Sequence, residues 1–466
     1  MREFELIIDE AFKAGLSPEV RPATNSQVLY ECLGLRCVGG GLKVHETFSN
    51  PLPAAFSLEY SWPFPIMLVG EGYAILAVQD PVTNYVSIYS VSENHQTLTL
   101  IYEVRPVLHS ASMLETADFG EYIFMTTGSG MLYWDCESCS WQRIAESKTI
   151  PTMRTVCNFK GQAIGGCILS SWYDCDETFY VWSQIGSIDF TPSKDNEAGY
   201  RRCPYGGEVY NVRRLEDTVV GYSSKGITFI YPASSATPEY GTGATFGFRE
   251  LSNIGLINRG AVNGSKSRQV YVGEDCVVRS ITKDGIEELG YKTYMKQLAG
   301  EYIIVNYDPA KKDFYIGNSS KTFLLSPQGL TESLQNPSTV WRRDNQTYIL
   351  PATISSESPC IVTNIFDMGY RGQKTIFSIE SDADNFTGGE VGVGYSNNQN
   401  SWGGEVYKPI NNEGIGALIA AGVKFRFMLK FESLETEAGI GYMKVRYKMA
   451  DLRGIRGVYA PAPRGQ

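Results

Sequence analysis

Histidine is nearly absent: the 466 residues carry three, His45, His95 and His109. None has another His or a Cys at ligand spacing, so spacing proposes no zinc site. Cys136-Glu137-Ser138-Cys139 is a lone CxxC. A zinc ribbon needs a second pair and a thioredoxin motif a βαβ context, so adjacent thiols at a hairpin turn account for it. There is no Gly-x-Ser-x-Gly elbow, which removes the simplest serine-hydrolase signature. The run Gly39-Gly40-Gly41 is not followed by Gly-Lys-Ser/Thr, and reads as turns rather than a phosphate cradle. Asp382-Ala383-Asp384-Asn385 has half of a calcium loop but lacks its glycine, which leaves an Asx-rich turn. With 51 acidic residues, paired carboxylates are unavoidable, and no pair stands out as a glycosidase couple. The expectation is a chain that is not an enzyme and has no metal or cofactor site.

Long apolar runs are also missing. The nearest, residues 415–421, is far too short to span a bilayer, so no membrane insertion is expected. The opening MREFELIIDEAFKAG places acidic residues where a signal peptide would have its apolar run. The ten scattered cysteines then read as reduced thiols of a chain folded in a cytoplasm. Positive charge is in deficit as well: the net charge is −10 and the pI about 5.1. A protein that grips duplex DNA through its overall charge is usually basic, so tight nucleic-acid binding is not expected.

What the chain has in quantity is glycine, 47 residues, with 29 Tyr and 21 Phe. That combination suits short strands joined by tight turns. Residues 206–232, GGEVYNVRRLEDTVVGYSSKGITFIYP, show the pattern best: three short strands, a Gly-bearing turn, and Pro232 closing the third. Val219 lies on one face and Val220 on the other, so the sheet is apolar on both sides and needs cover on both. A propeller supplies this with antiparallel strands alone, each small sheet stacking on its neighbours. Similar groups recur about every 40 residues, within the range for propeller blades. The reading is an all-β chain: an irregular arm over 1–50, a β-propeller of five to seven blades over 51–355, a β-sandwich over 356–450 and a basic tail over 451–466. An open sandwich array with the same strand spacing competes. Trp134-Asp135 has no Gly-His partner, so WD repeats are not supported.

In the sandwich segment, strands are expected at 361–367, 374–380, 390–395, 424–431 and 441–448. KFRFMLKF (424–431) alternates charge with large apolar residues, as a strand with one wet face does. Lys444, Arg446, Lys448, Arg453, Arg456 and Arg464 then stand against Asp451 alone. They form a solvated surface, or a basic edge that docks on an acidic partner or on phosphate.

Ser396 to Trp402, SNNQNSW, is similar to the Asp-box turn of sialidase propellers, a structural turn that performs no catalysis. A second resemblance covers more. Phe366-Asp367-Met368-Gly369 through Lys374, then VGVGYSNNQNSWGGEVYKPI (391–410) and KFRFMLKFES (424–433), resemble the C-terminal part of the tail nozzle, or packaged-DNA stabilisation, proteins of short-tailed bacteriophages. The segments GSIDFTP (186–192), VYVGEDCVVRSIT (270–282) and GLRCVGGGLKV (34–44) follow that family's order. Two departures stand out. Asn398 and Asn400 replace the Asp and Gly of the family turn, and the apolar NNEGIGALIAAG replaces an Arg-rich stretch.

The resemblance implies a propeller with accessory β-domains and a closed ring of copies, six in the family. That ring continues the DNA channel below the portal–adaptor complex, retains the packaged genome and conducts it during ejection. It implies a place in the virion tail after assembly in the bacterial cytoplasm. The partners would be further copies, the portal–adaptor complex, tail needle, plug or fibre proteins, and duplex DNA in passage. Lys444, Arg446, Lys448, Arg453, Arg456, Trp402 and Tyr407 are the candidate docking residues. A receptor- or glycan-binding propeller with aromatic sugar platforms, and a sialidase-like hydrolase, are the alternatives.

Overall fold

A computed structural model describes residues 3–48, 51–52, 66–70, 73–79, 85–104, 114–126, 130–138, 140–144, 149–193, 195–236, 244–343, 346–350, 355–397, 402–435 and 438–449. Among them are forty strands and two short helices, so the chain is all-β. No helix is long and apolar enough to cross a membrane. The chain forms two compact units, residues 48–321 with 336–353, and residues 1–47 with 322–335 and 354–466.

The first of these units contains five four-stranded antiparallel meanders. They begin at Ile66–Gly70, Glu115–Asp118, Met153–Phe159, Val209–Leu215 and Val262–Gly264, and each runs through the next three strands in order. The pair Ile304–Asp308 and Asp313–Gly317 and the hairpin Thr339–Arg343 with Gln346–Leu350 follow. Many small sheets of this kind are compatible with propeller-like blades.

Consecutive sheets pack face to face, as the two-sided apolar strands require. Ile75 and Ile88 of the first meander meet Ile123 and Leu132 of the second. Phe124 and Met131 meet Val156 and Val181 of the third, whose other side buries Tyr180 and Trp182 against Val212 and Ile230 of the fourth. Val220 and Tyr222 then meet Tyr271 and Ile281 of the fifth. Leu76 and Val78 of the first meander pack on Trp341 and Leu350 of the hairpin. Gly221 is a packing necessity here, because a Cβ at that position would enter the Tyr180 ring.

One detail departs from the sequence reading. The third strand of the fourth meander does not stop at Pro232 but runs from Ile227 to Ala236, paired with the unanticipated strand Ala244–Ser252. The ladder accommodates the proline because its register shifts between Pro232 and Ala236.

The other unit is not confined to the C-terminal segment. The expected irregular arm instead supplies strand Glu3–Ile8, which pairs with Met443–Met449 in a sheet completed by Lys374–Ser381 and Ile415–Gly422. The reason lies in the alternation of Glu3, Phe4, Glu5 and Leu6, which gives one charged and one apolar face. Residues 322–335, expected in the propeller, also belong to this unit. A second sheet includes, in order, Thr322–Leu325, Leu330–Glu332, Leu29–Leu33, Cys360–Thr363, Lys424–Lys430, Glu390–Ser396 and Gly404–Pro409. Phe425, Phe427 and Leu429 are buried, while Arg426 and Lys430 stand on the wetter face, as the alternation of KFRFMLKF requires. Gly416 lets the sheets approach, since a Cβ there would strike Val391.

Candidate functional site

Three of the docking candidates share one strand face. On Met443–Met449 the residues Met443, Val445, Tyr447 and Met449 are buried, which turns Lys444, Arg446 and Lys448 the other way. Each meets a carboxylate of a neighbouring strand. Lys444 lies 3.4 Å from Glu5, Arg446 3.3 Å from Glu5 and 3.2 Å from Glu380, and Lys448 3.0 Å from Glu3. The stripe is therefore internally matched, a charge ladder across three strands. Arg453 and Arg456 lie outside the described residues.

Trp402 and Tyr407 belong to a different face, and the structure brings them to partners that sequence reasoning missed. The Arg426 guanidinium lies 4.0 Å from the Tyr30 ring and 5.0 Å from the Trp402 ring. Lys430 Nζ lies 4.1 Å from the Tyr407 ring, and the Tyr407 hydroxyl donates to Glu405 at 2.8 Å. Trp402 and Tyr30 are 44% and 45% exposed, so this cation–aromatic array is presented to solvent.

The signal was present in two alternations. KFRFMLKF sends Arg426, Met428 and Lys430 to one face, while VGVGY leaves Gly392 and Gly394 bare on the adjoining strand. Tyr407 crosses that bare strand, for a Cβ on Gly392 would stand 2.5 Å from its ring. Asn398 and Asn400, in the expected turn, lie outside the described residues.

The other sequence motifs have structural employment. Asp382 accepts the backbone N–H groups of Gly441 and Tyr442, and Asp384 that of Gly439, so these carboxylates fasten a distant loop. His95 is buried beside the Trp341 and Tyr348 rings. His109 and Cys139 lie outside the described residues.

The interior of the meander unit holds a polar cluster that no spacing could announce, because its members come from different sheets. Thr155 donates to Glu115 at 2.6 Å, and Asn211 donates to the other Glu115 oxygen. Burial raises the Glu115 carboxyl, while Arg213, Thr155 and Arg259 act in the opposite direction. Arg259 donates to Glu208 and, at 3.2 Å, to Cys167 Sγ, and Arg154 lies 3.4 Å from Glu208. Cys167 sits at φ +56°, a left-handed conformation unusual for a residue with a side chain.

Cys167, Glu177 and Glu208 approach one another closely enough to suggest a metal centre. The Arg259 guanidinium, however, already supplies the cation that Cys167 and Glu208 share. Beside it, burial pushes the Cys167 thiol up to about 11.

Beside this cluster is a cavity of about 300 Å³. Its wall draws on the first strand of every sheet of the unit, through Ile66, Glu115, Val156, Arg213, Val262 and Val305, and on the hairpin through Thr339. Across the whole chain, comparison with known protein families and with curated proteins finds no match to either.

Proposed function

We propose that the meander unit is a β-propeller of seven blades, the last formed by the Thr339–Arg343 hairpin, and that the second unit is a β-sandwich carrying the docking surface of a ring-forming tail nozzle subunit. The blade count rests on the seven strands that share one cavity wall. In this reading the protein is a structural component of a virion tail. It would continue the channel below the portal–adaptor complex, hold the packaged genome and pass it at ejection.

The observation that carries the docking role is the solvent-facing array of Tyr30, Arg426, Trp402, Lys430 and Tyr407. Tyr, Trp and Arg are the residues that most often dominate protein interfaces, and identical subunits that close into a ring need a heterologous patch of this kind. The net charge of −10 suits a conduit in which DNA slides rather than binds. The resemblance to nozzle proteins over residues 366–433 points the same way.

Analytical ultracentrifugation and negative-stain imaging of the full chain, alone and with portal–adaptor complexes, test the reading. A closed ring is expected, and Arg426→Ala with Trp402→Ala is expected to weaken it. A protein that stays monomeric at high concentration and joins no portal–adaptor complex overturns it. The same exposed rings also suit a sugar-binding platform. Glycan-array binding lost in Trp402→Ala, with no ring formed by the parent protein, favours that second reading.

A further inference from the structure

The four-stranded sheet of the sandwich unit ends in two unlike edges. Its order is Glu3–Ile8, Met443–Met449, Lys374–Ser381 and Ile415–Gly422, with every neighbour antiparallel. The first and last strands therefore have one hydrogen-bonded partner each among the described strands. Along its outer edge Ile415–Gly422 is tied only at its ends, among the described residues. Asn411 N–H donates to the Ile415 carbonyl at 2.9 Å, and Val423 N–H to the Ser396 carbonyl at 2.8 Å.

Protein sheet edges are normally guarded by charge or proline, because a bare edge recruits another strand. Glu3–Ile8 carries Glu3 and Glu5, which Lys448, Lys444 and Arg446 answer within the sheet. Ile415–Gly422, IGALIAAG, carries no charge at all. Its burial alternates, which turns Ala417 and Ile419 outward. Ile419, at 77%, is the most exposed large apolar residue among the described residues. The rung Glu5, Arg446, Ser378, Ala417 places Ala417 and Ile419 on the face of the charge ladder. Ile7, 54% exposed, stands on that same face at the opposite edge.

Two copies can pair these edges in three ways. Joining two Glu3–Ile8 strands sets glutamates of both copies side by side, which is unfavourable. Joining two Ile415–Gly422 strands covers Ile419 and leaves Ile7 bare. Head-to-tail pairing covers both isoleucines. It also keeps the antiparallel alternation, because the two edge strands of a four-stranded antiparallel sheet run in opposite directions.

We propose that Ile415–Gly422 of one copy pairs with Glu3–Ile8 of the next, with Ile419 beside Ile7, so that the sheet continues from copy to copy. The contact is heterologous, the kind that a closed ring requires. It rests on the ring reading above for its choice of a second copy as partner, and it assigns the strand edges that meet.

Sedimentation velocity of the full chain, comparing the parent with Ile419→Lys and Ile7→Lys, tests the pairing. Both side chains are exposed, so Tm should be unchanged. Each lysine is expected to raise the concentration at which copies associate at least tenfold, while Ile419→Val retains association. Mixing Ile7→Cys chains with Ile419→Cys chains and adding a short bismaleimide should give a linked pair, mapped to positions 7 and 419, that neither variant forms alone. Association unchanged in both lysine variants overturns the inference and leaves the ring reading standing. A link that Ile419→Cys forms with itself in place of the mixed one also overturns it, in favour of a symmetric pair. Open chains of copies that the lysine variants abolish uphold the pairing and remove the ring. A parent that stays monomeric overturns both.

Discussion

Thr155 stands between two sheets with both of its hydroxyl functions used: it donates to Glu115 at 2.6 Å and accepts the Val212 N–H at 2.9 Å. A fully buried hydroxyl bridging the first strands of three successive meanders fixes their spacing around the cavity. Thr155→Val keeps the shape and deletes both bonds, leaving a buried N–H and a carboxylate oxygen short of a partner. A loss of about 2–3 kcal/mol is expected in urea unfolding, while Thr155→Ser stays within about 1 kcal/mol of the parent.

Gly392 and Tyr407 form a pair across the neighbouring strands Glu390–Ser396 and Gly404–Pro409. Any side chain at 392 must lift the Tyr407 ring, which in turn moves away from Lys430. Gly392→Val should therefore cost about 1–3 kcal/mol although valine favours strands. Quenching of tyrosine fluorescence by iodide should increase in parallel. Unchanged stability and quenching would show that the ring does not lie across the strand.

Lys374 is fully buried, and its Nζ donates to the carbonyls of Tyr370 at 2.5 Å and Gly372 at 2.8 Å. Burial lowers it from 10.5 to about 8, with Asp367 opposing. Between pH 8 and 10.5 the unfolded chain thus binds more protons here than the folded one, so this residue makes stability rise with pH across that window. Below pH 8 its full penalty applies, at most about 3 kcal/mol. Urea titrations at pH 7.5, 9 and 10.5 should show a rise in the parent relative to Lys374→Met; parallel curves would refute the assignment.

Arg446 is shared by Glu5 and Glu380, and all three are partly exposed. Arg446→Glu puts three carboxylates together, and a loss of about 1–2 kcal/mol is expected, smaller at 1 M salt than at 50 mM. Because the ladder is already neutralised within the chain, Arg446→Gln should leave any assembly of copies unchanged at temperatures where the protein stays folded. Loss of assembly in folded Arg446→Gln would return this face to the list of docking surfaces.

The thiol of Cys167 offers a kinetic check. Pushed up to about 11 and bonded to Arg259, it should resist Ellman's reagent at pH 8 until the protein unfolds. Rapid labelling of Cys167 in the native protein would contradict the buried arrangement.

Strand rhythm was the part of this fold legible in the sequence. Val219 and Val220, apolar on successive positions, announced a sheet covered on both faces, and KFRFMLKF announced one wet face. Two kinds of information were not local. Glu3–Ile8 falls in the arm read as irregular, because its partner strand lies some 440 residues later. Likewise Glu115, Thr155, Asn211 and Arg259 carry no motif, because only stacking of separate sheets brings them together. The charges at 444, 446 and 448 were visible, but the carboxylates that answer them sit on strands paired from elsewhere in the chain.

The packing of the first meander on the Thr339–Arg343 hairpin has a temporal meaning. Leu76 and Val78 are covered by Trp341 and Leu350, which a ribosome delivers more than 260 residues later. A chain truncated before residue 336 should bind ANS and refold slowly or not at all. Until the hairpin emerges, the nascent protein carries an uncovered apolar sheet face, the state in which aggregation competes with folding. Completion of this unit is therefore a late event of synthesis, and the last few residues of the hairpin act as its latch.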